Sequence, residues 1–419
     1  MKVGIFFSSE LTSGGAYRYQ TTFLDVLKLI RKDNIVIITS NKYIINKYHN
    51  DFQILDLSKY SRFLNPMKTV WYSLIKNRNN RIDLFVDNKI DVDSEKSFPG
   101  DSGILNKIYY NIFHYLIKIN GIGLVIYPGP SDLSFKLNIP YIFTVYDLQH
   151  KIHPEFPEVS INGVFEEREF LYSNALPKAM AIIADSQVGK EDIVNLYNID
   201  PEKIFVLPYL PPTYLNNLIK INELTNIKSK YSLPDQYIFY PANFWPHKNH
   251  KLIIRAIAIL REKDIVIHAV FVGSKMDEWG EFKKVMELAY DLDVVNQVHY
   301  LGYVENEEIS TLYKLSTGLV MPTFFGPTNI PYLEAFYLDC PVITSNIRGI
   351  KEQVGDAAIL VNPTSPEDLA EAIKKLQYDE KLRNKLIKNG HKVLDSWNYA
   401  DFSNGLACLL DYCTKRVRQ

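Results

Sequence analysis

At 419 residues the chain exceeds what one hydrophobic core organises, and two domains are predicted. Hydrophobic residues at 47% with 23% charged residues fit a soluble globular protein and exclude disordered or fibrous classes. The balance of 47 Lys and Arg against 48 Asp and Glu leaves no global charge to attract nucleic acid or a strongly acidic partner.

The N-terminal MKVGIFFSS carries one lysine and an apolar run too short for a secretory signal, so it is predicted as a first buried strand. Gly14 and Gly15 follow in LTSGGAYRY, either as a simple turn or as a loop whose missing Cβ atoms let a ligand approach the backbone. TTFLDVLKLIRK then reads as an amphipathic helix and IVIITS as the next strand. Between Leu57 and Ile82 lie Lys59, Arg62, Lys68, Lys76, Arg78 and Arg81 with no acid, interleaved with Tyr60, Phe63, Met67, Trp71 and Ile75. Two readings stand: a helix that buries its apolar face in the first domain, or Lys59, Arg62, Lys68, Trp71 and Lys76 lying on an anionic membrane surface. The D-x-D at Asp91 to Asp93 sits in the polar run DNKIDVDSEKS with no strand leading into it, and reads as a solvated loop rather than a metal-diphosphate site. NIFHYLIKINGIGLVIYP is broken by His114, Lys118 and Asn120, so no run reaches the roughly 18 apolar residues of a membrane span.

His150 and His153 are three apart but lack a third ligand nearby, so no metal is expected. Pro208, Pro211 and Pro212 in VLPYLPPTYL interrupt the pattern and predict the interdomain linker, giving domains of 1–212 and 213–395. YIFYPA restarts the series, followed by IHAVFVG, VHYLGYV, GLVMPT and PVITSN. Strand and helix alternating at this pitch predict α/β architecture: two doubly wound, Rossmann-like domains facing across a cleft. In TSPEDLAEAIKKL, Ser365 is the expected helix cap, Pro366 the first-turn residue and Asp368 the capping-box partner. A terminal helix of about 396–419 is expected to pack back on the first domain. Cys340, Cys408 and Cys413 are too few for a disulfide framework and read as core thiols of a cytoplasmic protein.

Two stretches carry chemistry. YPANFWPHKNHKLIIRAI, residues 240 to 257, places Lys248 at the head of a helix, where a positive charge opposes the dipole unless it faces an anion; an ordinary exposed lysine is the alternative. FFGPTNIPYLEA, residues 324 to 335, runs a Gly-Pro turn into a helix, so the amides of Thr328, Asn329 and Ile330 are candidate anion donors. Glu334 follows one turn later, where its carboxylate suits paired ribose hydroxyls. A loop of this kind also serves turn geometry alone.

In this order and spacing, YPANFWPHKNH and FFGPTNIPYLEAFYLDCPVI resemble the nucleotide-binding half of glycosyltransferase family 4, retaining enzymes of the GT-B fold, and HKNH with FGPTNIP resembles one subgroup of it. The segments TVYDLQHKIHPEFPEVS and ADSQVGKEDIVNLYNIDPEKIFVLP extend the resemblance to the first domain. The resemblance implies that Lys248 contacts the donor diphosphate, that Glu334 is the second glutamate of E-x7-E and binds ribose, and that Gly14 and Gly15 lie beside the donor phosphates. Asn243 and Gly326 fall within the same donor-binding motifs, and the resemblance makes Lys248, Asp147 and His150 the candidate catalytic residues, Asp147 at the aspartate of the usual His-Asp pair and His150 three residues on.

Three positions depart from the pattern: Gly326 replaces the first glutamate, Ala242 a frequent arginine, and Tyr146 the histidine before Asp147, leaving His150 as the nearest imidazole. The implied activity is transfer of a sugar, with retention, from a GDP-, UDP- or dTDP-linked donor to a glycan acceptor, lipid-linked at the cytoplasmic membrane face, in surface polysaccharide or O-antigen biosynthesis. No cofactor or metal is implied. A nucleotide-sugar epimerase and a non-catalytic sugar-nucleotide-binding subunit are the alternatives. A dehydrogenase is not, because no G-x-G-x-x-G follows a strand.

Overall fold

The structure is a computed structural model describing residues 2–9, 14–30, 34–60, 104–216, 221–275 and 279–417. Arg62, Lys68, Trp71, Lys76 and the D-x-D lie outside the described residues; Lys59 is exposed in a single 3-10 turn, Leu57–Tyr60.

The first sheet has seven strands: β1 Lys2–Phe6, β2 Ile35–Thr39, β3 Gln53–Asp56, β4 Ile122–Tyr127, β5 Tyr141–Thr144, β6 Ala181–Ala184 and β7 Ile204–Val206. Their spatial order is 3-2-1-4-5-6-7 and every pair is parallel. The second sheet has six: β8 Tyr237–Pro241, β9 His268–Val272, β10 Val298–Tyr300, β11 Gly318–Met321, β12 Val342–Ser345 and β13 Ala358–Val361, in the order 10-9-8-11-12-13 and again parallel. The run IVIIT is apolar up to its terminal Thr39, and AIIA is apolar throughout, because helices cover both faces of a parallel sheet. Successive residues of β2 divide accordingly: Ile37 joins the core with Phe23, Leu24 and Leu406, while Val36 and Ile38 join Phe113, Ile117 and Phe143 on the opposite face.

Strand order reverses between β1 and β4 in one sheet and between β8 and β11 in the other, and doubly wound sheets bind ligands beyond the carboxyl ends of such strands. Gly14 and Gly15 follow β1, the 242–248 loop follows β8, and the 322–330 loop follows β11. All three motif loops therefore lie at switch points.

Helix α1, Gly15–Leu27, opens the first domain. Among the later helices are α2 Gln187–Tyr197, α3 Ile330–Tyr337, α4 Pro366–Tyr378, α5 Glu380–Ser396 and α6 Tyr399–Val417. The Ser365 hydroxyl accepts the Asp368 amide at 3.1 Å, capping α4; the Asp368 carboxylate receives the Asn362 amide at 3.2 Å rather than closing a capping box on Ser365.

Helix α5 packs on the second domain against α3 and α4, and only α6 returns, burying Phe402, Leu406, Leu409 and Cys413 in the first domain's core. Trp397 stands between them and donates Nε1–H to the Pro208 carbonyl at 3.0 Å, while Tyr399 donates to Pro211 at 2.7 Å. The returning helix is thus tied to the linker. Cys340 and Cys413 are buried as expected, whereas Cys408 is exposed on α6.

Candidate active site

The loop after β8 is held by its own chain. The Asn243 carbonyl accepts the Trp245 amide at 2.8 Å and its side-chain oxygen accepts the Ser274 amide at 2.8 Å, tying the loop to the end of β9. Pro246–Lys248 forms one 3-10 turn, and Asn249, in the left-handed region at φ 57°, turns the chain into the helix His250–Arg261. The Asn249 side chain donates to the carbonyls of Pro322 and Pro363 at 3.0 and 2.8 Å, so the two motif loops are clamped together. Lys248 leaves this turn half-buried and, among the described residues, with no hydrogen-bond or ion-pair partner for its ammonium. Burial pushes its pKa down to about 8, against the pull of Asp147 and Glu158 from the first domain. It remains mostly charged at neutral pH.

Asp147 faces this lysine from the end of β5. Arg168 donates to both its carboxylate and, at 3.0 Å, its carbonyl, and the Gln149 amide donates at 2.9 Å. Burial opposes ionisation, yet Arg168 holds the carboxyl below its usual range. His150, expected as the nearest imidazole, does not share this place. It is fully buried, stacked on Tyr172 with ring centroids 5.6 Å apart, and bonded through Nε2 to the Tyr197 hydroxyl at 3.2 Å. Burial pushes its pKa down to about 4, and its surroundings are those of a core residue.

The Gly326 loop is docked on the first domain. Thr328 donates its hydroxyl to Asp185 at the end of β6, whose carboxyl burial raises to about 6 despite that donor. The Asn329 amide donates to Gln353 Oε1 at 2.7 Å, so one of the three expected anion donors is already engaged. Gly326 has φ 105°, a conformation that disfavours every side chain. Gly14 has φ 56° at the head of α1, and a Cβ on Gly14 or Gly15 would meet no atom within 4 Å.

Glu334 is not presented as an open carboxylate. It is 0% exposed; Oε1 accepts from Arg18 Nη1 at 2.5 Å and from the Tyr214 hydroxyl at 2.8 Å, and Oε2 accepts from Tyr313 at 2.9 Å. Arg18 comes from α1, so the pair bridges the two domains.

A second bridge is formed by Glu158, in a single helical turn Pro157–Ser160 of the first domain. Its Oε1 accepts the His247 amide at 2.9 Å and the His247 ring Nδ1–H. The imidazole stacks on Phe325 with centroids 3.9 Å apart, and Phe156 packs edge-on to Phe325 at 5.3 Å. Burial pushes His247 down to about 4, so the ring is neutral; burial also works against Glu158, but the His247 donors keep its carboxyl below the usual range.

Arg18, Glu158, Asp185 and His247 were not singled out from sequence. Glu158 and His247 stood inside quoted motifs, but nothing in sequence links residues 89 apart.

A cavity of about 470 Å³ lies behind the loop, lined by Asp185, Tyr209, Thr328, Gln353, Lys392 and Trp397. It adjoins the linker; of its lining side chains Lys392 donates to Asn389, and Gln353 donates to the Asn329 carbonyl of the motif loop.

Residues 222–393 match the sequence model of the family described as Glycosyl transferases group 1. The chain is 23% identical over 230 residues to the serotype-specific mannosyltransferase WbdA of Escherichia coli, covering 54% of this chain and 27% of that one. It is 29% identical over 232 residues to the N-acetylgalactosamine-N,N'-diacetylbacillosaminyl-diphospho-undecaprenol 4-alpha-N-acetylgalactosaminyltransferase of Campylobacter jejuni, covering 54% and 58%. The matched stretch spans about a quarter of the first relative and under three fifths of the second. In structure the chain is similar to Anabaena HepE solved in complex with UDP-glucose, with a TM-score of 0.70 at 15% identity over 98% of this chain and 99% of that one. The fold is GT-B, two parallel-sheet Rossmann-like domains.

Proposed function

We propose that the chain is a retaining glycosyltransferase of the family 4 type, moving a sugar from a nucleotide-diphosphate donor to a glycan acceptor during surface polysaccharide assembly. The observation that carries the proposal is Lys248: a half-buried, unpaired ammonium at the end of β8, facing the first domain across the cleft. Asp147 and Glu158 attract it, but neither forms a contact ion pair with it among the described residues, and a partly buried cation in that position is stabilised by an anionic ligand that meets it.

The family match over residues 222–393 supports glycosyl transfer, and the relatives named as a serotype-specific mannosyltransferase and as a transferase acting on a diphospho-undecaprenol-linked sugar support a glycan acceptor on a lipid carrier. In this reading negative charge grows on the leaving diphosphate as the anomeric bond breaks. Lys248 and the Thr328 and Ile330 amides stabilise it, the glycine pair at α1 admits the phosphates closely, and Asp147 lies on the sugar side. Metal independence belongs to the proposal, with activity expected to survive EDTA. Ribose capture by Glu334 belongs to it only if Arg18 leaves when the domains part and the Tyr214 hydroxyl, in Glu334's own domain, gives up its bond. Contact of the 57–82 stretch with anionic lipid is tested by vesicle sedimentation at low salt.

The deciding experiment is thermal melting with UDP, GDP, dTDP and ADP in turn. A nucleotide at a hundred times its dissociation constant stabilises by about 2.7 kcal/mol. One nucleotide is expected to raise the melting temperature, and Lys248→Ala to abolish that rise. Failure of all four would favour the non-catalytic reading, for which the occupied Glu334 is the specific support.

A further inference from the structure

The cleft holds one more unmet polar group. Glu158 reaches from the first domain to the turn that carries Lys248, and its carboxylate is divided in its bonding. Oε1 takes both the amide and the ring of His247, while Oε2 is buried and has no partner among the described residues. The side chain is 3% exposed, so water does not satisfy that oxygen. A buried carboxylate oxygen without a donor is costly, on the order of 1–3 kcal/mol or more. The next residue along the turn, Lys248, is the unpartnered ammonium.

An acceptor with no hydrogen bond, near an ammonium that it attracts without pairing, suits a ligand that offers a hydroxyl next to an anionic group. A sugar attached to a diphosphate has that arrangement. The loop after β11 cannot supply the carboxylate instead: Gly326 has no side chain, and at φ 105° it accepts one only with strain. Phe325, its neighbour, stacks on the face of the His247 ring whose Nδ1 edge Glu158 binds, so Glu158 stands at the same corner of the cleft.

The geometry points to Glu158 as a donor-sugar residue contributed by the first domain: Oε1 docks on His247 and Oε2 accepts a hydroxyl of the transferred sugar beside the diphosphate held by Lys248. This rests on the proposed donor site. It also makes sugar recognition conditional on domain contact, because the carboxylate and the nucleotide loop belong to different sheets. No bond is made or broken by Glu158; it binds and orients.

The test measures dissociation constants of UDP, GDP, UDP-glucose and GDP-mannose for the full chain, for Glu158→Gln and for Glu158→Asp. Unmodified protein should bind one sugar nucleotide more tightly than its bare diphosphate. Within each variant the sugar nucleotide is compared with its own bare diphosphate, and Glu158→Gln should remove at least tenfold of the sugar's advantage, the loss expected for a hydrogen bond to a charged acceptor. Deoxy analogues of that donor, used on unmodified protein, should identify one hydroxyl whose removal costs a similar factor, and removing it should cost nothing further in Glu158→Gln. If Glu158→Gln keeps the sugar's advantage, or no single hydroxyl couples to it, Glu158 only docks the domains and the inference is wrong. If Glu158→Gln does not fold, the hydroxyl series on unmodified protein with Glu158→Asp decides by the same criterion. If no nucleotide binds unmodified protein, the donor-site proposal itself falls, and this inference falls with it.

Discussion

Lys248 and Glu334 show how the same kind of motif residue can be placed in opposite ways. The lysine was legible as an ammonium at a helix head, and the fold leaves it unpaired at the cleft. The glutamate was legible as a helix carboxylate one turn in, and the fold closes it off with Arg18, Tyr214 and Tyr313. Lys248→Ala should lower kcat/KM by about 10²–10³, the usual loss when one preorganised donor to a developing anion is removed. A loss below tenfold in an assay with the identified donor would remove Lys248 from that role. Arg18→Ala leaves a fully buried carboxylate facing two tyrosines only, and should destabilise by about 3 kcal/mol, seen as a lower melting temperature. An unchanged melt would mean that solvent enters readily and the bridge carries little stability.

At the scale of elements, the loops that matter owe their shapes to a few backbone positions. Asn249 in the left-handed region turns the β8 loop into its helix, and Gly326 at φ 105° turns the β11 loop toward Asp185. Gly326→Ala puts a Cβ 3.4 Å from the side-chain nitrogen Nδ2 of Asn329 in a conformation alanine rarely adopts. It should cost about 1–3 kcal/mol and weaken nucleotide binding by loosening the loop. If the nucleotide-induced melting shift were identical to that of the unmodified protein, the loop would have no part in the donor site. The helix starts were readable because their chemistry is local. Ser365 caps α4 through its own neighbour three residues on, whereas Asp368 turned out to serve Asn362 instead of the reciprocal bond.

For the molecule as a whole, buried imidazoles set an acid limit. His150 and His247 are pushed down to about 4 and His250 to about 3, each from an ordinary value of 6.5, with burial the largest cause in all three. Between those values the unfolded chain binds protons that the folded chain refuses. Their contribution to stability is therefore fully present above about pH 6.5 and declines as pH falls toward about 4. Asp185, raised to about 6, acts in the opposite direction over part of the range, but it is one group against three. The melting temperature should fall clearly between about pH 7 and about pH 5; a flat profile there would show that these rings gain protons without unfolding. With two domains, the melt need not be a single two-state transition, so the midpoint is the quantity to compare.

From residue order alone came the alternating strands and helices, the proline break at 208–212, the Ser365 cap and the reading of the β8 and β11 loops as a pair, which the fold holds together through Asn249. Each rests on periodicity, backbone restriction or a family pattern, and these are properties of short stretches. Only the folded chain decided that His150 turns into the core against Tyr172, that Arg18 occupies Glu334 across 316 residues, and that Glu158 meets His247. Those outcomes depend on which surfaces two independently wound sheets bring together, and no local preference encodes the approach of one domain to another.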